Sequence, residues 1–327
     1  MTIHSMIPGG MERVTAELAW YFSQKEDIDL HLIIYGKGRT IFYDLPEKLK
    51  VHKPSWEFDN NKRLRSTIKS FVFLRKKVNE IAPDSVLSMG ERWNNFVLLA
   101  LLGVRTNVYI SDRCQPNKRL SLPHEILRKI LYPLASAIIA QTEIAKKIYN
   151  DRGYNSNIKV IGNPIRSIPC EKTNSERENI VLSVGRLIET KHHDRLIKIF
   201  KQTDTEDWKL VIVGGDAQKQ KGMKYLRDLI SDYDMGDKVI LTGNVSDVEK
   251  YYCRSKIFAF TSSSEGFPNV IGEAMSAGLP VITYDCVAGP SEMVEDGVNG
   301  YLIEQFNDEE FEKKLQYLMT NNDLRKK

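Results

Sequence analysis

An alternation of strand-length apolar runs with segments of helical period constrains this chain most. In the second half, apolar runs at 180–184, 209–213, 238–242, 257–261 and 280–284 alternate with amphipathic stretches at 194–203, 221–234, 248–255 and 269–277. That order predicts a parallel sheet covered by helices on both faces. Ligands of such sheets bind beyond the carboxyl ends of the strands. The first half repeats the pattern less clearly. Strands are expected at 30–35, 85–88, 107–111, 137–141 and 159–161, and helices at 11–23, 65–81, 93–102 and 124–132.

A chain of 327 residues suits two α/β domains better than one core. Gly162-Asn163-Pro164 follows a strand and carries turn chemistry. It divides the chain into domains 1–164 and 165–327, and the polar stretch 167–178 beyond it reads as loop. The net charge of +4 is unevenly spread: the first 164 residues hold 25 Lys and Arg against 16 Asp and Glu, and the remainder holds 22 against 27. A basic half points to an anionic partner. Cys114, Cys170, Cys253 and Cys286 are scattered, with no metal-ligand spacing. They argue against a disulfide framework or zinc site and for a reducing compartment. No apolar run has the roughly 18 residues needed to cross a bilayer. The N-terminus lacks the basic and apolar segments of a secretory signal. Only Ile3, Met6 and Ile7 precede the first glycine turn, and the chain stops at Lys327, so both ends read as abrupt.

The segment with the most chemistry is 262–277, SSSEGFPNVIGEAMSA. A strand runs into a loop, and a helix starts near Asn269 with Pro268 at its entry, where a fixed φ and a missing N–H cost nothing. The free N–H groups and positive dipole end of such a helix suit a phosphate or a sugar hydroxyl. Glu265 lies in the loop and Glu273 about one turn inside, roughly 6 Å along the axis. Together they can reach two parts of one elongated ligand. Taken singly, Glu265 reads as an exposed loop acid and Glu273 as a charge favouring the helix dipole.

Two further segments follow strand ends. In Gly185-Arg186-Leu187-Ile188-Glu189-Thr190-Lys191, the Arg fork and the Lys point charge form a clamp for a diphosphate. They could stabilise leaving-group charge without a metal; alone, they read as surface charges. Pro8-Gly9-Gly10-Met11-Glu12-Arg13-Val14 lets the backbone approach a phosphate or sugar. Neither it nor Gly214-Gly215-Asp216 is a G-x-G-x-x-G fingerprint, which leaves a nicotinamide or flavin without support. His192 and His193 read as an exposed helix start.

These segments together resemble family 4 of the retaining glycosyltransferases, most specifically at Glu265-Gly266-Phe267-Pro268-Asn269 through Glu273, an E-x7-E element. The resemblance covers nearly the whole chain. It implies a GT-B fold, α/β, with two Rossmann-like domains facing each other across a cleft. By that resemblance Arg186 and Lys191 contact the donor diphosphate. Glu265 and the backbone from Gly266 through Phe267 and Pro268 to Asn269 and Val270 hold the transferred sugar. Glu273 binds the ribose, Gly9 and Gly10 approach from the other domain, and Gly243 to Val245 face the base. Asp285-Cys286-Val287-Ala288-Gly289-Pro290-Ser291-Glu292 is similar to a D-C-x-x-G-P-x-E variant found with UDP-galactose-type or UDP-N-acetylhexosamine donors; from the residues alone, Gly289-Pro290 is a turn after a strand. Many members carry a His after the strand matching 107–111. Here Ser111-Asp112-Arg113-Cys114 stands instead, with Arg113 at the functional position and no side chain nameable as general base.

Residues 61–81, NKRLRSTIKSFVFLRKKVNEI, interleave basic and apolar side chains, and Lys118, Arg119, Arg128 and Lys129 add a second basic group. The pattern reads either as a solvated face over a core stripe or as a helix lying on an anionic membrane. No nucleic-acid motif accompanies it. The expected activity is transfer of a hexose or N-acetylhexosamine from a UDP-sugar to a lipid-linked or growing surface glycan. Configuration is retained, without metal or bound cofactor, in the cytoplasm or at the inner face of the membrane. The rivals are a UDP-sugar epimerase on a similar fold and a non-catalytic membrane-associated scaffold.

Overall fold

A computed structural model describes residues 1–36, 40–171, 173, 176–204, 206–217 and 221–326. Of the segments discussed above, positions 172, 174, 175 and 327 lie outside the described residues. The chain divides into two compact units, Met1–Pro164 and Ile165–Lys327.

Unit 1 runs β1 (Thr2–Ile3), α1 (Gly10–Ser23), β2 (His31–Ile34), β3 (Lys50–His52), α2 (Arg63–Ile81), β4 (Ser85–Met89), α3 (Glu91–Ala100), β5 (Asn107–Ser111), α4 (Leu122–Leu131), β6 (Ala137–Ala140), α5 (Glu143–Asp151) and β7 (Ile158–Val160). Its strands form one parallel sheet in the order β3-β2-β1-β4-β5-β6-β7. The order reverses between β1 and β4.

Unit 2 runs β8 (Ile180–Val184), α6 (His193–Gln202), β9 (Lys209–Val213), α7 (Gly222–Asp232), β10 (Val239–Gly243), α8 (Glu249–Arg254), β11 (Ile257–Phe260), α9 (Asn269–Ser276), β12 (Val281–Asp285), α10 (Pro290–Met293), β13 (Gly300–Glu304) and α11 (Asp308–Thr320). Its parallel order is β10-β9-β8-β11-β12-β13, reversing between β8 and β11. Ile180, Val181 and Leu182 are all buried because both faces are covered. Leu196, Phe200, Ile212 and Phe311 belong to one core layer, and Phe258, Ile271, Ala274 and Leu279 to another. Each such Leu, Ile or Phe contributes roughly 1.5–3 kcal/mol by leaving water.

Two expectations need correction. Cys170 and Cys253 form a disulfide, with Cα atoms 5.2 Å apart across 83 positions of sequence. It ties the segment that leads into β8 to α8. Spacing along the chain carries no information about this pairing, since the fold alone brings the two together. With a disulfide present, scattered cysteines no longer argue for a reducing compartment. Cys114 and Cys286 are free thiols. The helix-start histidines also differ from expectation: His192 is half-buried and His193 is buried. Among the described residues, no helix is long and apolar enough to cross a membrane.

Candidate active site

The strand order of unit 2 reverses between β8 and β11, and ligands of doubly wound sheets dock beyond the carboxyl ends of the strands at such a point. The turn after β8 carries Gly185 to Lys191, and the loop after β11 carries Thr261 to Pro268. Hydroxyls fasten one to the other. Thr261 Oγ1 donates to the carbonyls of Lys191 (2.9 Å) and His192 (3.1 Å), and Ser262 Oγ donates to that of Thr190 (3.1 Å). The Ser263 amide donates to the Thr190 carbonyl at 2.9 Å. On this frame Lys191 Nζ donates to Glu265 Oε1 and sits 4.9 Å from the Phe260 ring centroid. Both partners are mostly shielded from solvent. Arg186, in the same turn, is exposed.

The neighbouring loops pack against this frame. Gly214, after β9, has φ +150°, and a Cβ there would overlap the Gly185 carbonyl. The Leu187 amide donates to the Gly215 carbonyl at 3.0 Å. Gly243, the last residue of β10, has φ +73°, and its carbonyl accepts from the Gly214 amide at 3.1 Å. Val245 is partly buried against the core. After β12, Gly289 has φ +101°, and a Cβ there would overlap Pro268 Cδ, with Phe267 Cα 3.5 Å away. The turn Cys286 to Gly289 thus buttresses the Glu265–Asn269 loop. Burial, and then the charge of Glu265, pushes the Cys286 thiol up to about 12.

Helix α9 starts at Asn269 behind Pro268. Gly266 and Pro268 are buried, whereas Phe267, Asn269 and Val270 are half-buried. Glu273 is buried and accepts from the Tyr252 hydroxyl at 3.0 Å. His193 lies beside the Gly185 and Arg186 backbone, and burial pulls its imidazole down to about 4, with Lys191 adding to the effect. His192 Nε2 is 2.8 Å from Ser263 Oγ. Among the described residues, no group of His, Cys, Asp and Glu is arranged to hold a metal.

Gly9, Gly10 and Arg113 belong to unit 1: the two glycines follow β1, at its own reversal point, and Arg113 follows β5, the next strand beyond β4. The Gly9 amide donates to the Tyr43 hydroxyl at 3.0 Å, and the Tyr43 hydroxyl donates back to the Gly9 carbonyl at 2.9 Å. Gly10 opens α1 with space around its Cα. Arg113 donates to Asn163 Oδ1 and reaches Met89 Sδ at 3.8 Å. Burial pulls its guanidinium down to about 10, against the pull of Asp112. Asp112 itself accepts from Arg128 (2.6 Å), Tyr132 (2.7 Å) and Asn94 (2.9 Å).

Sequence reasoning missed the hydroxyls at 261–263, Tyr252, His193 and the buttressing role of Gly289. The run of hydroxyl residues after a strand was a usable signal for the first; the others depend on contacts between distant segments.

Comparison with known proteins agrees with this architecture. Residues 8–167 match the family model Glycosyltransferase Family 4, and residues 166–327 match Glycosyl transferases group 1. An uncharacterised glycosyltransferase of Methanocaldococcus jannaschii is 34% identical over 295 residues, spanning 80% of this chain and 71% of the relative. The N-acetylgalactosamine-N,N'-diacetylbacillosaminyl-diphospho-undecaprenol 4-alpha-N-acetylgalactosaminyltransferase of Campylobacter jejuni is 29% identical over 343 residues, 99% of this chain and 90% of the relative. Anabaena HepE, solved with UDP and glucose, superposes with a TM-score of 0.78 at 18% identity, covering 99% of this chain and 90% of that one. The chain also matches S. aureus TarM, of whose solved chain it spans 53%. Sheet order and relatives define a glycosyltransferase with two Rossmann-like domains of the GT-B class. The chain belongs to the family 4 glycosyltransferases.

Proposed function

We propose that the protein transfers a hexose or N-acetylhexosamine from a UDP-sugar to a lipid-linked or growing surface glycan, with retention of configuration and without a metal. The observation that carries this reading is the Lys191–Glu265 pair, held across the strand-order reversal of unit 2. A diphosphate lying there meets the Lys191 ammonium, the exposed Arg186 fork and the N-terminus of α9, which together offset the two charges of a departing UDP. Glu265 accepts hydrogen bonds from the hydroxyls of the transferred sugar, and Glu273, kept in place by Tyr252, accepts those of the ribose. The acceptor oxygen bonds to the anomeric carbon as the bond to the diphosphate breaks on the same face. The acceptor's proton passes to the departing phosphate oxygen, so no side-chain base is required, and orientation supplies much of the rate. The family resemblance assigns substrate contacts to Gly9, Gly10 and Arg113 of unit 1 as well. The identity of the Campylobacter relative, which acts on a diphospho-undecaprenol substrate, supports a lipid-linked acceptor and action at the inner membrane face.

The test is UDP release from a panel of UDP-sugars, with and without chelator and a polyprenyl-diphosphate-linked acceptor. Acceptor-dependent release that survives chelator supports the proposal. Donor conversion without acceptor, seen by NMR, would instead identify an epimerase, and absence of both UDP binding and release would identify a scaffold.

A further inference from the structure

Helix α8 is too small to hold itself in place. It has six residues, of which Tyr252 is the buried one, and a helix of that length is marginal without support from packing. Yet its buried side chain reaches the donor site. The Tyr252 hydroxyl donates to Glu273 Oε2 at 3.0 Å and to the Val270 carbonyl at 3.4 Å, both on α9. The placing of Glu273 therefore depends in part on where α8 is held.

The segment that leads into β8 supplies the hold. Its first residues run along α9: a Cβ at Gly272 would lie 2.6 Å from Ile165 Cδ1, and the Ile168 amide donates to Ser276 Oγ at 3.0 Å. The segment is then linked to α8. Arg166 pairs with Glu249 at 2.6 Å, Cys170 is bonded to Cys253, and Glu178 accepts from Arg254 at 2.7 and 3.0 Å. Both ion pairs lie at the surface, where such pairs hold weakly and are screened by salt. The disulfide is covalent, and Cys253 is the chain neighbour of Tyr252.

The bond is also within reach. Cys170 and Cys253 are each half-buried rather than enclosed, which leaves their sulfurs open to a thiol reductant. The free thiols do not compete. Burial pushes those of Cys114 and Cys286 up to about 12, so at neutral pH neither supplies a thiolate to reshuffle the pair.

We propose that Cys170–Cys253 is a redox-operated clasp on the donor site. Oxidised, it holds α8 so that Tyr252 keeps Glu273 in place for the donor ribose; reduced, it frees α8 and weakens donor binding. The inference rests on the donor site proposed above. In the reduction, a thiolate of the reductant attacks one sulfur, forms a mixed disulfide and releases the other cysteine as a thiolate. A second reductant thiol then displaces the remaining cysteine. Two electrons and two protons pass to the pair, and the reductant leaves as its own disulfide.

The test is calorimetric titration of UDP into the full chain isolated without reductant, and into the same chain after dithiothreitol, with non-reducing peptide mapping to follow the bond. Reduction should raise the Kd for UDP about tenfold, within the ordinary range of coupling between sites, and reoxidation should restore it. Cys170→Ser/Cys253→Ser should bind as the reduced chain does and ignore dithiothreitol. Tyr252→Phe should bind UDP more weakly while oxidised, and reduction should then change its Kd less than twofold. Equal affinity of the oxidised and reduced chains overturns the proposal. So does a bond that does not form under oxidant, or a tenfold effect that persists in Tyr252→Phe. If the chain binds no UDP in either state, the donor site itself fails, and amide hydrogen exchange at 249–254 decides whether the bond governs α8: faster exchange on reduction supports the clasp, and unchanged exchange overturns it.

Discussion

Lys191 and Glu265, 74 positions apart in sequence, are joined by a hydrogen bond from the ammonium to the carboxylate across the strand-order reversal of the second unit. A partly shielded pair loses more than a surface pair when one member is removed, because the other is left without its partner.

Lys191→Ala and Glu265→Gln should each lower kcat/KM for the donor by about 100-fold or more, the scale found when one preorganised charge-stabilising group is lost. Steady-state UDP release is the measurement, and near-parental turnover in both variants would refute the site. Arg186→Ala, exposed and in the same turn, should lower turnover without moving the thermal midpoint.

Gly289→Ala introduces a Cβ where φ is +101° and the Pro268 ring stands in the way. The strain is on the order of 1–3 kcal/mol, and relief requires moving the Glu265–Asn269 loop. Weaker UDP binding by calorimetry is expected together with a lower melting temperature. A variant that melts lower but binds UDP normally would separate the buttress from the site.

His193 gives the second unit an acid limit. Its imidazole is held down to about 4 against an ordinary 6.5. In the unfolded chain it takes up a proton between those values, whereas in the native state it does not. This contribution to stability is therefore complete above about pH 6.5 and is lost as pH falls towards 4. The loss between pH 7 and pH 4.5 should be about 2 kcal/mol. Urea unfolding of the parent and of His193→Gln across that range is the check, and the variant should show a flatter profile.

In unit 1, Asp112 and Arg128 are both buried and 2.6 Å apart. Arg128→Met leaves the Asp112 carboxylate with the Tyr132 and Asn94 donors alone, and a loss of about 3–5 kcal/mol is expected in chemical denaturation. Replacing both residues by apolar ones of similar volume should cost less than that single change.

The parts of the fold legible in the sequence are those where one local rule dominates. Strands β8 and β9 match the expected 180–184 and 209–213 because central strands covered on both faces read as unbroken apolar runs. β13 begins at Gly300 and ends at Glu304, too short and too polar at its ends to stand out. α11, from Asp308 to Thr320, hides Phe311, Leu315, Leu318 and Met319 among charged residues. At the site, Arg186, Lys191 and Glu265 were legible as charges beyond strand ends. Their pairing was not, because it depends on which strands become neighbours. The disulfide and the buried His193 were misread for the same reason.

Arg75, Arg113 and Arg128 carry a consequence for how strongly the first unit is felt from a distance. The first is fastened to α3 carbonyls, the second to Asn163, and the third is neutralised beside Asp112. Of the three only Arg128 is cancelled by a carboxylate; Arg75 and Arg113 bond neutral oxygens, act as struts and keep their full positive charge in the long-range field. Removing either strut as Arg75→Gln or Arg113→Gln should therefore weaken long-range attraction to any anionic partner at low ionic strength as well as loosening the contact it makes, whereas Arg128→Met would expose the charge of Asp112.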